Sequence, residues 1–325
     1  MLCLSAGYYV FFAVNTTSSS DGTYFYIRHD DNYQTVRQGL INNEIVKNVQ
    51  TFDLAAQKMN LSNTFKPGRY KINGRFTNVQ LIRKIRNGDW DKVVIKINLE
   101  MTRTQIIDHI VSNLEPSKAD FIEALNNNWV EQNGFTDENK WCVFLSDHYH
   151  FNWAISADDI IQRFLYEYNI FWSADRKAKA KSVGLTTKEA CVLGSIVDGE
   201  AVHVSEMPTI AGLYLNRIRK GMLLQADPTV LYVVGREGRK RVLYRDLKTK
   251  HPYNTYLNKG LPPGPILSPD KRAILASINP KKHNYIFMCA KPDRSYYHNF
   301  TSSAAEHRKN ARAYRRSLNA RGVRR

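Results

Sequence analysis

The stretch LTTKEACVLGSIVDGEA, Leu185 to Ala201, decides how the rest of the chain is read. Thr186 and Glu189 have the spacing of a capping box, in which each side chain satisfies an amide of the first helical turn. The spacing then predicts a helix whose apolar face carries Leu193, Ile196 and Val197. The next position on that face is Glu200. A carboxylate on an apolar stripe has three readings: it reaches water at a boundary, it pairs with a buried cation, or it is a catalytic acid whose pKa desolvation has raised. Gly194 and Gly199 lie in the same short helix, at about 1 kcal/mol each relative to Ala. Residues that small let another backbone or a ligand come close.

Downstream, SEMPTIAGLYLNRIRKGM predicts a second helix, with Ser205 as N-cap, Pro208 in the first turn and Gly221 as the stop. The last third is rich in loop signals, with strands expected at VLYVV (230–234) and YIFMCA (285–290). The clusters LLQADPTVLY, YNTYLNKGLPPGPI and SYYHNF put Tyr and Asn beside Pro-Gly loops. Such rings stack on sugar faces and such amides bond hydroxyls, while ordinary turn chemistry uses the same residues. Hydrolysis by two carboxylates would need a second acid across the sugar. Asp227 and Glu206 are available, Glu206 reading as a first-turn helix charge and Asp227 as a turn residue before Pro228. His203 and His298 are the histidines nearest these stretches.

Upstream, ADDIIQRFLYEYNIFW (157–172) reads as an amphipathic helix, and WCVFLSDHYHF (141–151) as a strand running into a turn. TNVQLIRKI (77–85) and TRTQIIDHI (102–110) share the pattern T-x-x-Q followed by apolar residues at helical spacing, again a capping box. Strand candidates precede them at RYKI and KVVIKINL (92–99). A third copy runs from Thr23 to Ile41, with its helix opening near Asn32. Residues 21 to about 130 therefore read as small strand–helix units, either a repeated carbohydrate-binding module or a scaffold.

The chain of 325 residues, 43% hydrophobic and 24% charged, has the composition of a globular protein of about two domains. Its net charge of +17 favours polyanionic partners. Nucleic acid is disfavoured, because no aromatic-plus-basic recognition motif accompanies the charge. After Glu306 the tail holds eight Arg and Lys and no acid, and reads as a solvated helix end. RKAKAKS (176–182) reads as a linker or exposed helix end. The four cysteines form no C-x-x-C and no Cys/His cluster, so neither a metal site nor a disulfide framework is expected, and Cys191 reads as a packed core thiol. Walker, G-x-S-x-G, G-x-G-x-x-G and H-E-x-x-H motifs are absent. MLCLSAGYYVFFAVN is apolar for about 15 residues, short of the roughly 20 that span a bilayer. It reads as the outer part of a transmembrane anchor, with TTSSSDG as a linker.

The ordered blocks SIVDGEA, NRIRKGMLLQADPTV, YNTYLNKGLPPGPILSP (253–269) and YIFMCAKPDRSYYHNFTSSAAEH (285–307) resemble the endolytic murein transglycosylases of the MltG/YceG family. The resemblance covers most of residues 140 to 315. Where the family usually reads S-I-V-E-K-E, this chain has Asp198 and Gly199 before the retained Glu200. The resemblance implies an α+β fold: LysM-like strand–helix repeats (21–135) behind a membrane anchor (1–20), then a mixed α+β lytic transglycosylase domain (136–325) with a basic tail. It implies cleavage of the MurNAc–GlcNAc bond within peptidoglycan glycan strands to give 1,6-anhydroMurNAc ends, with Glu200 as general acid and then base and no cofactor. It further implies a single-pass protein of the bacterial cytoplasmic membrane whose catalytic domain lies on the outer, periplasmic face, with peptidoglycan synthases as candidate partners. The expected cleft residues are Gln225, Asp227, Tyr253, Asn254 and Tyr256. A non-catalytic peptidoglycan-binding scaffold is the alternative.

Overall fold

The computed structural model describes residues 2–17, 22–98, 101–235, 242–268 and 270–320, with side chains from residue 7 onward. Its helices are α1 (Leu2–Phe12), α2 (Tyr33–Asn42), α3 (Val49–Lys58), α4 (Asn78–Asn87), α5 (Arg103–Val111), α6 (Lys118–Leu125), α7 (Trp129–Gln132), α8 (Ala157–Phe171), α9 (Ala174–Ser182), α10 (Thr187–Glu200), α11 (Met207–Arg219), α12 (Asp227–Val234), α13 (Lys271–Ile278) and α14 (Ala304–Asn319). The strands β1 (Thr23–Ile27), β2 (Gly68–Ile72), β3 (Val93–Ile97), β4 (Asp147–Phe151), β5 (Phe287–Ala290) and β6 (His298–Thr301) form three two-stranded sheets, β1–β2, β3–β4 and β5–β6. The fold is thus mixed α+β. Two compact units emerge, one from residues 1–95, 107–124 and 148–160, the other from 96–106, 125–147 and 161–325.

In the first unit, β1 alternates. Phe25 and Ile27 enter the core while Tyr24 and Tyr26 face outward, as a period of two dictates. It pairs antiparallel with β2, Phe25 opposite Tyr70. Between them, α2 and α3 begin at Asn32 and Asn48, whose side chains accept from the amides of Thr35 and Thr51. β1, α2, α3 and β2 therefore make a β-α-α-β arrangement, and the order β3, α5, α6, β4 repeats it, with the short α7 inserted before its closing strand. The capping boxes at Thr77 and Thr102 both form: Thr77 bonds the Gln80 amide and Thr102 the Gln105 amide, and each Gln returns to the N-cap amide at 2.9 Å.

The apolar N-terminal run is α1, in which Val10 and Phe11 pack on the first unit's core and Tyr8, Tyr9 and Phe12 stay exposed. At about 1.5 Å per residue its 11 residues span about 16 Å, and no helix among the described residues is long and apolar enough to cross a membrane. Of the expected linker, Thr16 is instead fully buried. Its hydroxyl donates to Gly74 O and accepts from the Phe76 amide. Residues 18–21 of that linker, Leu99 of the strand candidate KVVIKINL, and 321–325 of the basic tail lie outside the described residues.

In the second unit α10 is buried on every side from Ala190 to Asp198. An apolar helix of that kind belongs at the centre of a core, and α11 and α13 pack against it. Gly194 is the reason α13 comes so near: a Cβ there would lie 2.9 Å from Ile274 Cγ1 and 3.1 Å from the Ile274 backbone. Ser195 Oγ accepts from the Ile266 amide, and Asp198 from the Asp270 amide at the start of α13. Cys142 and Cys191 are buried free thiols in this core.

Several local expectations are corrected. VLYVV is not a strand but the body of α12. Its β-branched residues favour strand, but Asp227-Pro228 supplies a helix start and Thr229 Oγ1 closes the first turn on Ala226 O at 2.7 Å. WCV (141–143) lies in a 3-10 turn, the strand beginning only at Asp147. Two expectations hold: RKAKAKS lies at the end of a helix, α9, and the described part of the basic tail is the exposed end of another, α14. Ser205 lies within a 3-10 turn, and Glu206 takes the N-cap position of α11.

Candidate functional site

Glu200 is the last residue of α10. It lies on a cavity of about 370 Å³ whose polar lining includes Tyr214, Arg217, Gln225, Asp227 and Tyr256. Tyr214 and Arg217 are three apart on α11 and so share a face. Tyr214 Oη donates to Glu200 Oε1 at 2.8 Å. Glu200 Oε2 has no partner among the described residues. Arg217, buried, donates through Nε to Ile286 O (2.6 Å) and through Nη1 to Leu223 O, Leu224 O and Gln225 Oε1. It thereby ties the 222–226 loop to the chain entering β5. Gln225 is held in the left-handed region at φ 52°, its amide bonded to Thr255 O, a conformation uncommon for a non-glycine residue and found at functional sites. Asp227 opens α12, where the helix dipole favours an anion, and its Oδ1 accepts from Tyr256 Oη at 2.6 Å.

These surroundings set the electrostatics. Glu200 keeps part of its surface on the cavity, but its carboxyl is crowded by protein. Desolvation, reinforced by the negative charge of Asp227, pushes its pKa up to about 8, against the hydrogen bond from Tyr214 and the charge of Arg217. Burial likewise raises the Tyr214 phenol and disfavours the charge on Arg217. Glu200 is therefore mostly a neutral acid at pH 7, able to give a proton and then, as a carboxylate, to take one. Among the described residues no group of three or more His, Cys, Asp or Glu could hold a metal ion.

Of the residues expected in the cleft, Glu200, Gln225, Asp227 and Tyr256 share this cavity. Tyr253 and Asn254 are not on its lining. Tyr253 is buried, its Oη accepting from Arg103 Nη2 at 2.6 Å, and a Cβ on Gly264 would approach that oxygen to 2.7 Å. Asn254 is fully buried and its amide donates to Leu247 O and Thr249 O, so it shapes its loop from within. Glu206 does stand at a helix start, as the N-cap of α11, and it is buried there and bonds His298. His203 stacks on Tyr297 with ring centroids 3.8 Å apart. Sequence reasoning did not single out Tyr214, Arg217, His307 and Tyr314, which also line the cavity. For Arg217 the signal was present. It follows Ile210 and Leu213 on an apolar helix face, as Glu200 follows Ile196 and Val197.

The comparisons with known proteins converge on one family. Residues 25–313 match the YceG-like family. An endolytic murein transglycosylase of Bacillus subtilis (strain 168) is 35% identical over 164 residues, half of this chain and 44% of that protein. One of Streptococcus pneumoniae (strain D39) is 36% identical over 114 residues, 34% of this chain and 21% of that protein. The matched segments thus span less than half the length of these relatives. The crystal structure of a yceG-like protein from Listeria monocytogenes, 25% identical, superposes with a TM-score of 0.58 over 90% of this chain and 99% of that one. The chain belongs to the YceG-like family.

Proposed function

We propose that the protein is an endolytic peptidoglycan lytic transglycosylase. The observation that carries this reading is Glu200, a carboxyl raised to a pKa of about 8 and opening on a cavity lined by hydroxyl, amide and guanidinium groups. Glu200, protonated, donates to the glycosidic oxygen as the bond between that oxygen and the MurNAc anomeric carbon breaks. The C6 hydroxyl of the same MurNAc then bonds that carbon and gives its proton to the Glu200 carboxylate. The products are a free GlcNAc hydroxyl and a 1,6-anhydroMurNAc end, and the acid is restored. Tyr214 occupies Oε1, which leaves Oε2 to meet the sugar. The names of the Bacillus and Streptococcus relatives support this substrate class.

Purified sacculi incubated with the protein should release fragments ending in 1,6-anhydroMurNAc by mass spectrometry, and Glu200→Gln should not. Fragments one water heavier would point to hydrolysis, the reading favoured by Asp227, a second carboxylate on the same cavity. Binding to sacculi without any new ends would point to a non-catalytic scaffold.

We further propose that residues 1–20 belong to a membrane attachment at the outer face of the bacterial cytoplasmic membrane, that residues 21–135 act as LysM-like glycan-binding repeats, that residues 136–325 carry catalysis, and that a peptidoglycan synthase is a partner. The exposed Tyr8, Tyr9 and Phe12 and the two β-α-α-β arrangements support the first two assignments. Recovery of the chain in the soluble fraction of cells would remove the first.

A further inference from the structure

Glu206 and His298 form a second titratable pair on the site, one that the acid–base cycle of Glu200 leaves unused. Both Glu206 oxygens are committed to one residue: Oε1 accepts from the His298 amide at 2.9 Å and Oε2 meets His298 Nδ1 at 2.9 Å. Glu206 is 7% exposed and stands at the N-cap of α11, where the helix dipole favours a carboxylate. His298 opens β6 opposite Ala290 of β5, so the clamp fixes both the backbone and the ring at the start of that strand. A carboxylate acceptor assigns the imidazole proton to Nδ1. Nε2 is then a bare acceptor. It has no partner among the described residues, and His298 lines the same cavity as Glu200.

We propose that His298 is a substrate-binding residue of this site, with Nε2 accepting a hydrogen bond from a sugar hydroxyl and Glu206 acting as the positioning residue that sets its tautomer. The inference rests on the glycan-cleaving reading. A ring so clamped selects a neutral polyol: it offers an acceptor and repels an anion.

The test uses the 325-residue chain carrying Glu200→Gln, so that substrate binds without being cut, and a GlcNAc–MurNAc tetrasaccharide as probe. Adding His298→Ala should weaken binding about tenfold, the worth of one uncharged hydrogen bond. Adding Glu206→Gln should do the same, because an amide donor at Nδ1 drives the proton to Nε2. Isotope-labelled histidine NMR of the unaltered chain, which needs no core substitution, should find His298 protonated at Nδ1 and bare at Nε2. Undiminished binding after His298→Ala, or a proton on Nε2, overturns the proposal. Binding that depends on His298 in a chain whose wild type makes no anhydro ends would uphold it and remove the transglycosylase reading instead. No binding at all would overturn the proposal and leave the transglycosylase reading to the sacculus digestion by the wild type.

Discussion

α4 and α10 begin alike and end differently. Each opens with Thr and a reciprocating Gln or Glu in a complete capping box. α4 then buries one stripe, Val79, Leu81, Ile82 and Ile85, and ends at Gly88 in the left-handed conformation (φ 74°), with its charged side chains in its last turns. α10 is buried all round and ends on Glu200 at a cavity. An amphipathic helix can spend its polar residues on water. A helix enclosed on all sides cannot, so a carboxyl at its end must be paired, neutral, or in use. At Glu200 one oxygen accepts from Tyr214, the raised pKa keeps it mostly neutral at pH 7, and the other oxygen is left without a partner among the described residues.

The largest effect that separates the two helices is chemical. Glu200→Gln should lower the rate of anhydro-end formation by about 10²–10⁴, the usual worth of a general acid–base group, and should leave the melting temperature equal or higher. The sign of the latter follows from linkage. A carboxyl raised from 4.5 to about 8 binds its proton more tightly folded than unfolded, so between those values stability falls as pH rises. Glu200→Gln should flatten that slope, as thermal unfolding across pH 5 to about 8 would reveal. A loss of stability with unchanged cleavage would make Glu200 an ordinary helix-end charge and erase the contrast.

Next in size is packing. Gly194→Ala forces a methyl against the Ile274 backbone in α13, which cannot swing aside as a side-chain tip can. Overpacking of this kind costs about 1–3 kcal/mol, readable as a lower denaturation midpoint. Because α13 and the chain before it are bonded to Asp198 and Ser195, cleavage should drop as well. Gly88→Ala at the end of α4 is strained by its positive φ and should cost about 1 kcal/mol, with per-molecule cleavage unchanged.

What was legible beforehand follows the same divide. Caps depend on neighbours three residues apart, so Thr77, Thr102 and Thr186 could be read directly. The stripe that led to Glu200 depends on helical period alone. α12 could not be read that way. Val230 to Val234 favour a strand by propensity, but the Asp-Pro start and the bond from Thr229 Oγ1 to Ala226 O close a first helical turn. Asn254 and Tyr253 look like cleft residues in sequence because Tyr-Asn loops serve sugars and turns alike, and only three-dimensional contacts assign them to Leu247, Thr249 and Arg103. Glu206 was hidden for the opposite reason: its partner lies 92 residues away.

The caps themselves give a smaller test. Thr77→Ala and Thr186→Ala each remove one N-cap bond and should each cost about 1 kcal/mol. Equal losses would say that the two helix starts are equivalent and that only the ends differ. A larger loss at Thr186 would be the share of its second bond, the hydroxyl donating to Glu189 Oε2 at 2.8 Å, which has no counterpart at Thr77 among the described residues.

The smallest effect concerns what holds Glu200 neutral. Asp227 raises the Glu200 pKa through its charge, and its Oδ1 accepts from Tyr256. Asp227→Asn keeps an acceptor for Tyr256 and removes the charge. Glu200 should then ionise at lower pH, because the second cause of its raised pKa is gone while burial stays. A reaction that begins with protonated Glu200 loses rate as pH passes through that pKa, so the alkaline limb, expected near 8 in the wild type, should move toward neutrality. The rate well below the limb should change little. If Asp227→Asn instead abolished cleavage at every pH, Asp227 would be a reacting group and the two-carboxylate hydrolysis would displace the single-acid cycle. An unmoved limb would leave desolvation at the end of a buried helix as the whole cause of the shift.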